Sequence, residues 1–254
     1  MKVVKIKENK NINININKEY LYEGLEVDLD KKYVISFIGG GGKTTSIYQL
    51  AEELSSKGKR VIVTTTTHMQ MPKDKVILNN NIDEIKKKLD ENNFITVGLK
   101  SKEDKIISIP IEKVNELREI CDFLLIEADG AKMLPLKAPD SHEPVILDIT
   151  NMVVAVCGID ALGKRIKETC HRPNIVARIL SKSEEDIVDI NDFAYILSSK
   201  DGSMKALNEE KMEYRVIINK VDNNKLLKEA SRIAEKIENK SIKVIITSYK
   251  YCLE

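Results

Sequence analysis

The sequence predicts a doubly wound α/β fold, in which helices cover both faces of a mainly parallel sheet. Short apolar runs with little polar alternation recur along the chain, and amphipathic segments separate them. Strands of this kind are buried on both faces, which is typical of parallel sheets. Residues 33–67 also follow the order strand, glycine loop, helix, strand. The right-handed crossover of such a βαβ unit makes its two strands parallel.

This first βαβ unit is the most clearly patterned part of the chain. An apolar strand at residues 33–38 ends at four glycines. Ile47 and Leu50 then belong to the apolar stripe of a helix, and β-branched residues at 60–67 predict the next strand. Further strands are predicted at residues 75–78, 94–98, 105–109, 122–127, 152–157, 214–218 and 243–247. Further helices are predicted at residues 82–90, 110–120, 173–181, 184–199 and 224–239.

The length of the chain limits its domain organisation. At about 100–200 residues per domain, 254 residues make one large domain or two small ones. We predict a single domain over residues 33–254, with a loop-rich insertion near 128–151 that carries three prolines. Residues 1–32 are predicted to be an N-terminal arm or an edge strand. Asparagine and isoleucine alternate there as in a strand, but asparagine is a poor strand residue.

Composition argues against several classes of function. The 41 Lys and Arg residues against 40 Asp and Glu leave a net charge of +1, whereas nucleic acid or an anionic membrane surface favours a basic excess. Tryptophan is absent and aromatic residues make up 5%, which disfavours a base-stacking surface. No apolar run suits a transmembrane helix or a signal peptide. The cysteines at positions 121, 157, 170 and 252 form no CxxC pair, so we expect reduced, mostly buried thiols in a cytoplasmic protein.

The strongest functional motif is the glycine loop between the first strand and the first helix. Its residues are Gly39, Gly40, Gly41, Gly42, Lys43, Thr44 and Thr45. Backbone N–H groups of such a loop form a phosphate cradle at a helix N-terminus, which predicts a P-loop NTPase-type fold that binds GTP or ATP. We expect Lys43 to reach the β- and γ-phosphates and the Thr44 hydroxyl to lie on Mg²⁺. The longer P-loop pattern has a glycine where Phe37 stands.

Two carboxylates follow another apolar strand. Glu127 and Asp129 close the segment DFLLIEADG, at a strand end where P-loop proteins order Mg²⁺ or its water shell. Either carboxylate is expected to hold the metal together with Thr44, and Asp129 to orient a water molecule. We therefore predict Lys43, Glu127 and Asp129 as catalytic residues.

A segment that reads the nucleotide base is predicted towards the end of the chain. Asn219, Lys220 and Asp222 form an N-K-x-D pattern after an apolar strand. In GTPases the aspartate of this pattern accepts two hydrogen bonds that guanine can donate and adenine cannot. Ser248 follows a later strand and resembles the second base-contacting segment of the same proteins. These residues favour GTP, with ATP as the alternative.

Polar residues of the neighbouring loops are candidates for contact with a substrate or partner. Thr67 and His68 close the second parallel strand, although a preference of threonine for strands also explains the threonines there. The other candidates are Lys132, Lys137, His142, His171 and Arg172. Scattered histidines are usually not a metal site, and Arg172 is equally explained as the cap of the following helix.

The motifs together resemble known families. The glycine loop is similar to the shorter loop of the SIMIBI branch of P-loop proteins, many of which act as homodimers. At the position where that branch often carries a lysine that reaches across the dimer, this chain has Ile38. A homodimer is therefore suggested by the resemblance alone, and no residue of the sequence predicts it. The chain as a whole resembles the selenium-dependent hydroxylase accessory protein family, YqeC. The matching segments, in order, are GGGGKTT, VTTTTHM, LLIEADGAKMLPLKAP, HEPVI, VCGIDALGK, CHRP and NKVD.

The YqeC resemblance implies a cytoplasmic P-loop protein that assists the maturation of selenium-dependent molybdenum hydroxylases. Its partner would be the hydroxylase or the machinery that matures its cofactor. A Mg²⁺-dependent NTP hydrolase could couple GTP or ATP turnover to delivery of a modified molybdenum cofactor. A kinase or nucleotidyl transferase acting on a small acceptor, and a non-catalytic nucleotide-sensing scaffold, are the alternatives, since a fold alone does not decide function.

Overall fold

The computed structural model of the protein describes residues 2–6, 14–18, 20–101, 104–238 and 242–249. The strands within these residues are β1 (Lys2–Ile6), β2 (Ile14–Lys18), β3 (Tyr33–Gly39), β4 (Val61–Thr65), β5 (His68–Gln70), β6 (Val76–Ile77), β7 (Phe94–Val97), β8 (Leu99–Lys100), β9 (Lys105–Ile107), β10 (Phe123–Glu127), β11 (Leu136–Lys137), β12 (Met152–Gly158), β13 (Cys170–His171), β14 (Glu213–Asn219) and β15 (Lys243–Ser248). The helices are α1 (Leu21–Gly24), α2 (Lys43–Ser56), α3 (Ile82–Asn92), α4 (Ile111–Ile120), α5 (Ile166–Thr169), α6 (Pro173–Leu180), α7 (Ile190–Ser198) and α8 (Asn224–Glu238), with a turn of 3-10 helix at Ile159–Ala161.

A long central sheet organises the described part of the chain. Its strand order is β2-β1-β15-β14-β12-β3-β10-β4-β7-β6. The eight strands from β15 to β6 are parallel, and β1 and β2 continue the sheet at one edge as antiparallel strands. The predicted mainly parallel α/β fold is therefore confirmed. Two small sheets lie outside it, β11 with β13, and β5 with β9 and β8.

Helices cover both faces of the central sheet because its strands are apolar on both sides. Ile35 and Phe37 of β3 pack with Ile47 on the face that carries α1 and α2. Val34 points to the opposite face and packs with Leu117 of α4 and with residues of α3. Further along that second face, β12, β14 and β15 pack against α6, α7 and α8. The apolar runs without polar alternation thus have the burial expected of a doubly covered parallel sheet.

Strand ends bring the predicted motifs to one edge of the sheet. The neighbouring strands β14, β12, β3 and β10 all run in the same direction. They end at Asn219, Gly158, Gly39 and Glu127, respectively. In open α/β sheets, ligands bind outside the carboxyl ends of the parallel strands, so this edge is where a functional site is expected.

One predicted helix is much shorter than its pattern indicated. The helix expected at residues 184–199 begins six residues later, as α7. Residues 184–186 form a turn and a bend, Ile187 forms an isolated antiparallel bridge with Arg165, and the Val188 N–H donates to the Lys164 carbonyl. Asp189 then caps α7, because its side chain accepts from the Asp192 N–H while the Asp192 side chain accepts from the Asp189 N–H. Such a capping box fixes the start of a helix more strongly than apolar periodicity does.

The cysteines within the described residues are buried free thiols, as predicted. Burial raises the pKa of Cys121 and Cys170 to about 12 and also raises the pKa of Cys157. Cys252 lies outside the described residues. No helix in the described ranges is long and apolar enough to cross a membrane.

The structure explains why Phe37 stands at the position where the longer P-loop pattern has a glycine. It belongs to β3 rather than to the loop, and its side chain is fully buried against the helices on one face.

We expect Phe37→Ala to lower the free energy of unfolding by about 3–5 kcal/mol, because it leaves a large cavity. Urea unfolding followed by circular dichroism measures this. Ile111→Ala, at a half-exposed position of α4, is the control with an expected change of about 0.5 kcal/mol or less, and similar losses in both variants would contradict the assignment.

Candidate functional site

The glycine loop is held in a conformation that only glycine adopts easily. Gly42 has a φ of 120°, in the left-handed region. A Cβ at Gly41 would lie 2.0 Å from the backbone nitrogen of Gly158, so the loop backs directly onto the end of β12. The Gly40 N–H donates to the Val156 carbonyl and the Gly41 N–H to the Leu134 carbonyl. These contacts with β12 and with Leu134 fix the position of the loop.

The start of α2 presents unpaired hydrogen-bond donors. The helix begins at Lys43 directly after the glycine loop, and no side chain caps it. Among the described residues, no group accepts a hydrogen bond from the N–H groups of residues 42–45. Unpaired N–H groups and the positive end of the helix dipole together attract anions such as phosphate.

Lys43 lies buried beneath the loop, and its side chain is 4% exposed. Its Nζ donates to the Gly39 carbonyl at 3.1 Å, to Asp129 Oδ1 at 2.6 Å and also to the Asp129 carbonyl. Glu127 Oε1 lies 3.8 Å from the same nitrogen. Burial lowers the pKa of Lys43, but the charges of Asp129 and Glu127 outweigh this effect, so the pKa lies above its ordinary value. A charged ammonium group is thus held next to the loop.

Thr44 and Glu127 form the second polar contact of the site. The Thr44 hydroxyl donates to Glu127 Oε2 at 2.7 Å, from α2 to the end of β10. Burial raises the pKa of Glu127, against the lowering effects of Lys43 and of the Thr44 hydroxyl. Mg²⁺ commonly takes one or two carboxylates and completes its shell with water and phosphate oxygens. The hydroxyl and carboxylate that meet here fit such a metal.

Asp129 is engaged by backbone and by lysine side chains. Its carboxylate accepts from the Gly39 N–H at 3.0–3.1 Å. Oδ1 pairs with Lys43, and Oδ2 pairs with Lys137 at 3.0 Å. Both oxygens therefore carry a cationic partner, and of the two carboxylates predicted to hold a metal, Glu127 is the one that contacts Thr44.

Lys137 extends the site into a chain of ion pairs. It was expected to contact a partner, but its side chain is 2% exposed and pairs with Asp129 and Glu143. Arg172 holds Glu143 with two hydrogen bonds, of 2.6 and 3.0 Å, and its Nε lies 3.2 Å from Asp140. Burial raises the pKa of Glu143, but the hydrogen bonds from Arg172 and Lys137 overcome this and hold the pKa at about 2.

His171 lies beside this chain of ion pairs. Strands β11 and β13 pair in parallel, which places His171 opposite Lys137. Its Nδ1 is buried and has no hydrogen-bond partner among the described residues. Burial and the positive charges of Lys137 and Arg172 lower the pKa of His171, so the imidazole is neutral near pH 7.

The N-K-x-D segment contacts the glycine loop. Asn219 Nδ2 donates to the Gly41 carbonyl at 2.8 Å. Asp222 Oδ1 accepts from the Ser248 hydroxyl at 2.7 Å, so the two predicted base-reading segments meet. Lys220 Nζ lies 2.8 Å from Asp160 Oδ2. The structure therefore brings the predicted base-reading residues to the same edge as the loop.

Other predicted residues lie apart from this cluster. Thr67 directly precedes β5 and His68 begins it, whereas Lys132 is an exposed residue between β10 and β11 and His142 is exposed after β11. Among the described residues, none of the four forms a hydrogen bond or ion pair with the glycine loop or with Lys43. Thr45 belongs to the site through its backbone N–H, since its side chain is exposed.

Two charged residues of the site were not predicted. Glu143 joins Lys137 to Arg172, and Asp160 joins Lys220 to the turn after β12. The Oδ1 atom of Asp160 is buried without a hydrogen-bond partner among the described residues. A carboxylate two residues after an apolar strand is the signal that could have indicated Asp160, because Asp129 stands in the same relation to β10. No group of three or more His, Cys, Asp and Glu that could hold a metal occurs within the described ranges.

The Glu143 pairing predicts a pH dependence of stability. A carboxyl whose pKa falls from an ordinary 4.5 to about 2 on folding stabilises the fold above pH 4.5, and this stabilisation is lost as the pH falls towards 2. After allowance for solvent screening, it amounts to about 1–2 kcal/mol at pH 7. We expect Glu143→Gln to lose this amount at pH 7 and less at pH 3, measured by urea unfolding. The exposed Glu235→Gln of α8 is the control, and a Glu143→Gln deficit that does not change with pH would contradict the pairing.

Comparison with known proteins identifies relatives of this chain. A family model described as YqeC protein matches residues 35–174, from β3 to the start of α6. A protein of Escherichia coli (strain K12) with the name "Uncharacterized protein YqeC" is 34% identical over 184 residues, which are 68% of this chain and 70% of the relative. A chain of the MinC:MinD cell division protein complex of Aquifex aeolicus is similar in structure, with a TM-score of 0.41 and 15% identity over 82% of this chain and 77% of that chain.

The family match spans the glycine loop, the carboxylates after β10 and the ion pairs up to Arg172. The E. coli relative extends the similarity to about two thirds of both chains. On these two findings, the protein belongs to the YqeC family.

Proposed function

We propose that the protein is a Mg²⁺-dependent nucleotide-binding protein and that the nucleotide phosphates bind at the glycine loop. The observation that carries the proposal is the group of N–H donors of residues 42–45, which have no acceptor among the described residues. The buried, charged Lys43 adjoins these donors. A cradle of N–H groups with a lysine beside it suits the charge and oxygen pattern of a di- or triphosphate.

A bound phosphate would compete with Asp129 for the ammonium group of Lys43. A phosphate that draws Lys43 to itself breaks the 2.6 Å contact with Asp129. Asp129 keeps its hydrogen bonds from the Gly39 N–H and its ion pair with Lys137. The carboxylate therefore remains compensated when the lysine moves, which keeps the cost of releasing Lys43 low.

Thr44 and Glu127 are proposed to hold the metal ion. Mg²⁺ bound there would neutralise charge on the phosphates. The Thr44 hydroxyl and the Glu127 carboxylate supply the oxygen atoms, and they already lie 2.7 Å apart. Because burial raises the pKa of Glu127, the proton that this carboxyl takes up at lower pH competes with the metal.

Guanine is the base that the N-K-x-D segment favours. Asp222 is positioned by the Ser248 hydroxyl, and Asn219 ties the segment to the Gly41 carbonyl. Carboxylate oxygens at this place accept hydrogen bonds that guanine can donate and adenine cannot. GTP is therefore the proposed nucleotide, and ATP is the outcome that would contradict this part.

Nucleotide sensing without turnover has one specific observation in its favour. Asp129, the residue predicted to orient a water molecule for hydrolysis, has Lys43 on one oxygen and Lys137 on the other. After a phosphate has drawn Lys43 away, Asp129 still pairs with Lys137 and accepts from the Gly39 N–H. A partner that rearranged these remaining contacts would be needed before Asp129 could act on water. The role implied by the resemblance to selenium-dependent hydroxylase accessory proteins supports a molybdenum hydroxylase or its cofactor-maturation machinery as that partner, and a cytoplasmic location.

Nucleotide binding is tested by titrating GTP and ATP into the protein with and without Mg²⁺. We expect GTP to bind, and Lys43→Ala to weaken binding by about tenfold or more, because a charged hydrogen bond is worth about 1.5–3 kcal/mol. Asp222→Asn should shift the preference from GTP towards xanthosine triphosphate. Asp148→Asn, an exposed position outside the site, is the matched control, and circular dichroism checks that each variant is folded.

The possible results separate the parts of this proposal. Equal affinity for GTP and ATP would overturn the guanine assignment alone. Failure of both nucleotides to bind to the folded protein would overturn the proposed function as a whole. Release of inorganic phosphate in the presence of a candidate partner would favour the hydrolase over the sensor.

The Glu127 carboxyl predicts a pH dependence of metal-assisted binding. Since the pKa of Glu127 is raised, the part of the GTP affinity that depends on Mg²⁺ should fall as the pH is lowered from neutrality. Glu127→Gln should reduce that part by about tenfold or more at pH 7 and remove its pH dependence. The exposed Glu235→Gln should behave as the unmodified protein. An unchanged pH profile in Glu127→Gln would show that another group holds the metal.

A further inference from the structure

A pocket lies beside Arg172, at the end of the chain of ion pairs that starts from Lys43 and Asp129. Its volume is about 890 Å³, and its walls come from the loop after β11, from α6 and from the turn after α7. Pockets of about 300–1,000 Å³ are typical of small organic ligands. Arg172 is part of the wall and is also the residue that holds Glu143. The pocket is thus separate from the glycine loop but linked to it through side chains.

The walls of the pocket carry an excess of positive charge. Four cations line it, Arg172, Arg178, Lys200 and Lys205, against the two carboxylates of Asp140 and Asp201. Both carboxylates already have partners, since Asp140 lies 3.2 Å from Arg172 and Asp201 accepts from the Tyr195 hydroxyl at 3.1 Å.

The cations differ in how firmly they are held. Lys205 donates to the Asp140 carbonyl at 2.5 Å, and Lys200 lies 2.6 Å from Glu209 in an exposed pair. Arg178 is exposed on α6, and its side chain has no hydrogen bond or ion pair with the residues that the structure describes. A free guanidinium group at the wall of a positive pocket favours an anion with several oxygens, such as phosphate.

An apolar strip accompanies these charges. Ile175 and Ile179 are four residues apart on α6, so they lie on the same face of the helix, and both are half-buried in the pocket wall. Pro139 continues the apolar strip on the opposite loop. A ligand that fills this pocket therefore has an apolar or planar body in addition to its negative charge.

We propose that this pocket binds an organic phosphate, with the phosphate on Arg178 and Arg172 and the apolar body against Ile175 and Ile179. The concave shape favours a small molecule over an acidic segment of a protein. Binding at Arg172 is relayed towards Lys43 by the contacts through Glu143, Lys137 and Asp129. The relay rests on the proposed nucleotide function, whereas binding to the pocket does not.

The relay is a continuous set of short contacts. Arg172 donates to Glu143, Glu143 pairs with Lys137, and Lys137 lies 3.0 Å from Asp129, which pairs with Lys43 at 2.6 Å. A phosphate that takes Arg172 from Glu143 leaves Glu143 with Lys137 as its close cationic partner. Any such effect on the nucleotide affinity is reciprocal, so GTP must change the affinity of the pocket by the same factor.

Isothermal titration with phenyl phosphate tests the pocket, with inorganic phosphate as the comparison. We expect saturable binding of phenyl phosphate that is tighter than that of inorganic phosphate. Arg178→Ala should weaken it by about tenfold or more, and Lys200→Ala should also weaken it. Arg118→Ala, an exposed arginine of α4 outside the pocket, should leave the affinity within about twofold. These helix and turn positions are exposed, so the variants are expected to fold.

Three results would overturn the pocket assignment. They are the absence of saturable binding, an affinity that Arg178→Ala does not change, and binding of an acidic peptide where phenyl phosphate fails. GTP titrated in the same samples keeps the two proposals apart. Phenyl phosphate binding that depends on Arg178 in a protein that binds no nucleotide would preserve the pocket and remove the proposed function. The relay is supported if saturating phenyl phosphate changes the GTP affinity by about fivefold or more, and an unchanged GTP affinity would contradict it.

Discussion

The buried contact of Asp129 with Lys43 and the Gly39 N–H is the interaction on which the candidate site depends. It joins the end of β3, the start of α2 and the loop after β10 at one point. Asp129 is the shared acceptor, because the Gly39 N–H and the buried Lys43 ammonium group both donate to its carboxylate. Loss of Asp129 would leave Lys43 without its 2.6 Å ion pair, and removing one partner of a buried ion pair typically costs about 3–5 kcal/mol. This cost restricts the loop to a narrow range of positions. The order of the glycine loop is thus a property of the folded chain itself.

Parallel strands explain why distant parts of the sequence meet at this contact. β14, β12, β3 and β10 are adjacent and run in the same direction, although their order in the sheet differs from their order in the chain. The ends of these strands and the loops that follow them therefore share one edge, where their chemical groups meet. Backbone donors come from the glycine loop after β3, and the carboxylates of Glu127 and Asp129 come from the end of β10 and the loop after it. The amide of Asn219 and the carboxylate of Asp222 come from the end of β14 and the residues after it.

Local sequence patterns predicted the parts of the structure that depend on local chemistry. The loop around Lys43 could be recognised because a strand, four glycines and a helix start are contiguous in sequence. Glu127 could be recognised because it ends an apolar run. The pairing of Glu143 with Arg172 could not, because it depends on β11 and β13, two-residue strands that no periodicity indicates. The same holds for the pocket beside α6, whose walls come from three separate segments.

The outer strands of the central sheet affect how the protein behaves in concentrated solution. A sheet of this length offers two edges to which another chain could add a strand. At one edge β6 is only two residues long and provides few backbone groups for pairing with a second molecule. At the other edge, the antiparallel pairing of β2 with β1 has a register shift between Val3 and Lys5, and such an irregularity twists an edge strand away from regular pairing. The sheet can therefore be long enough to assemble a site from four strand ends while it remains a poor template for aggregation.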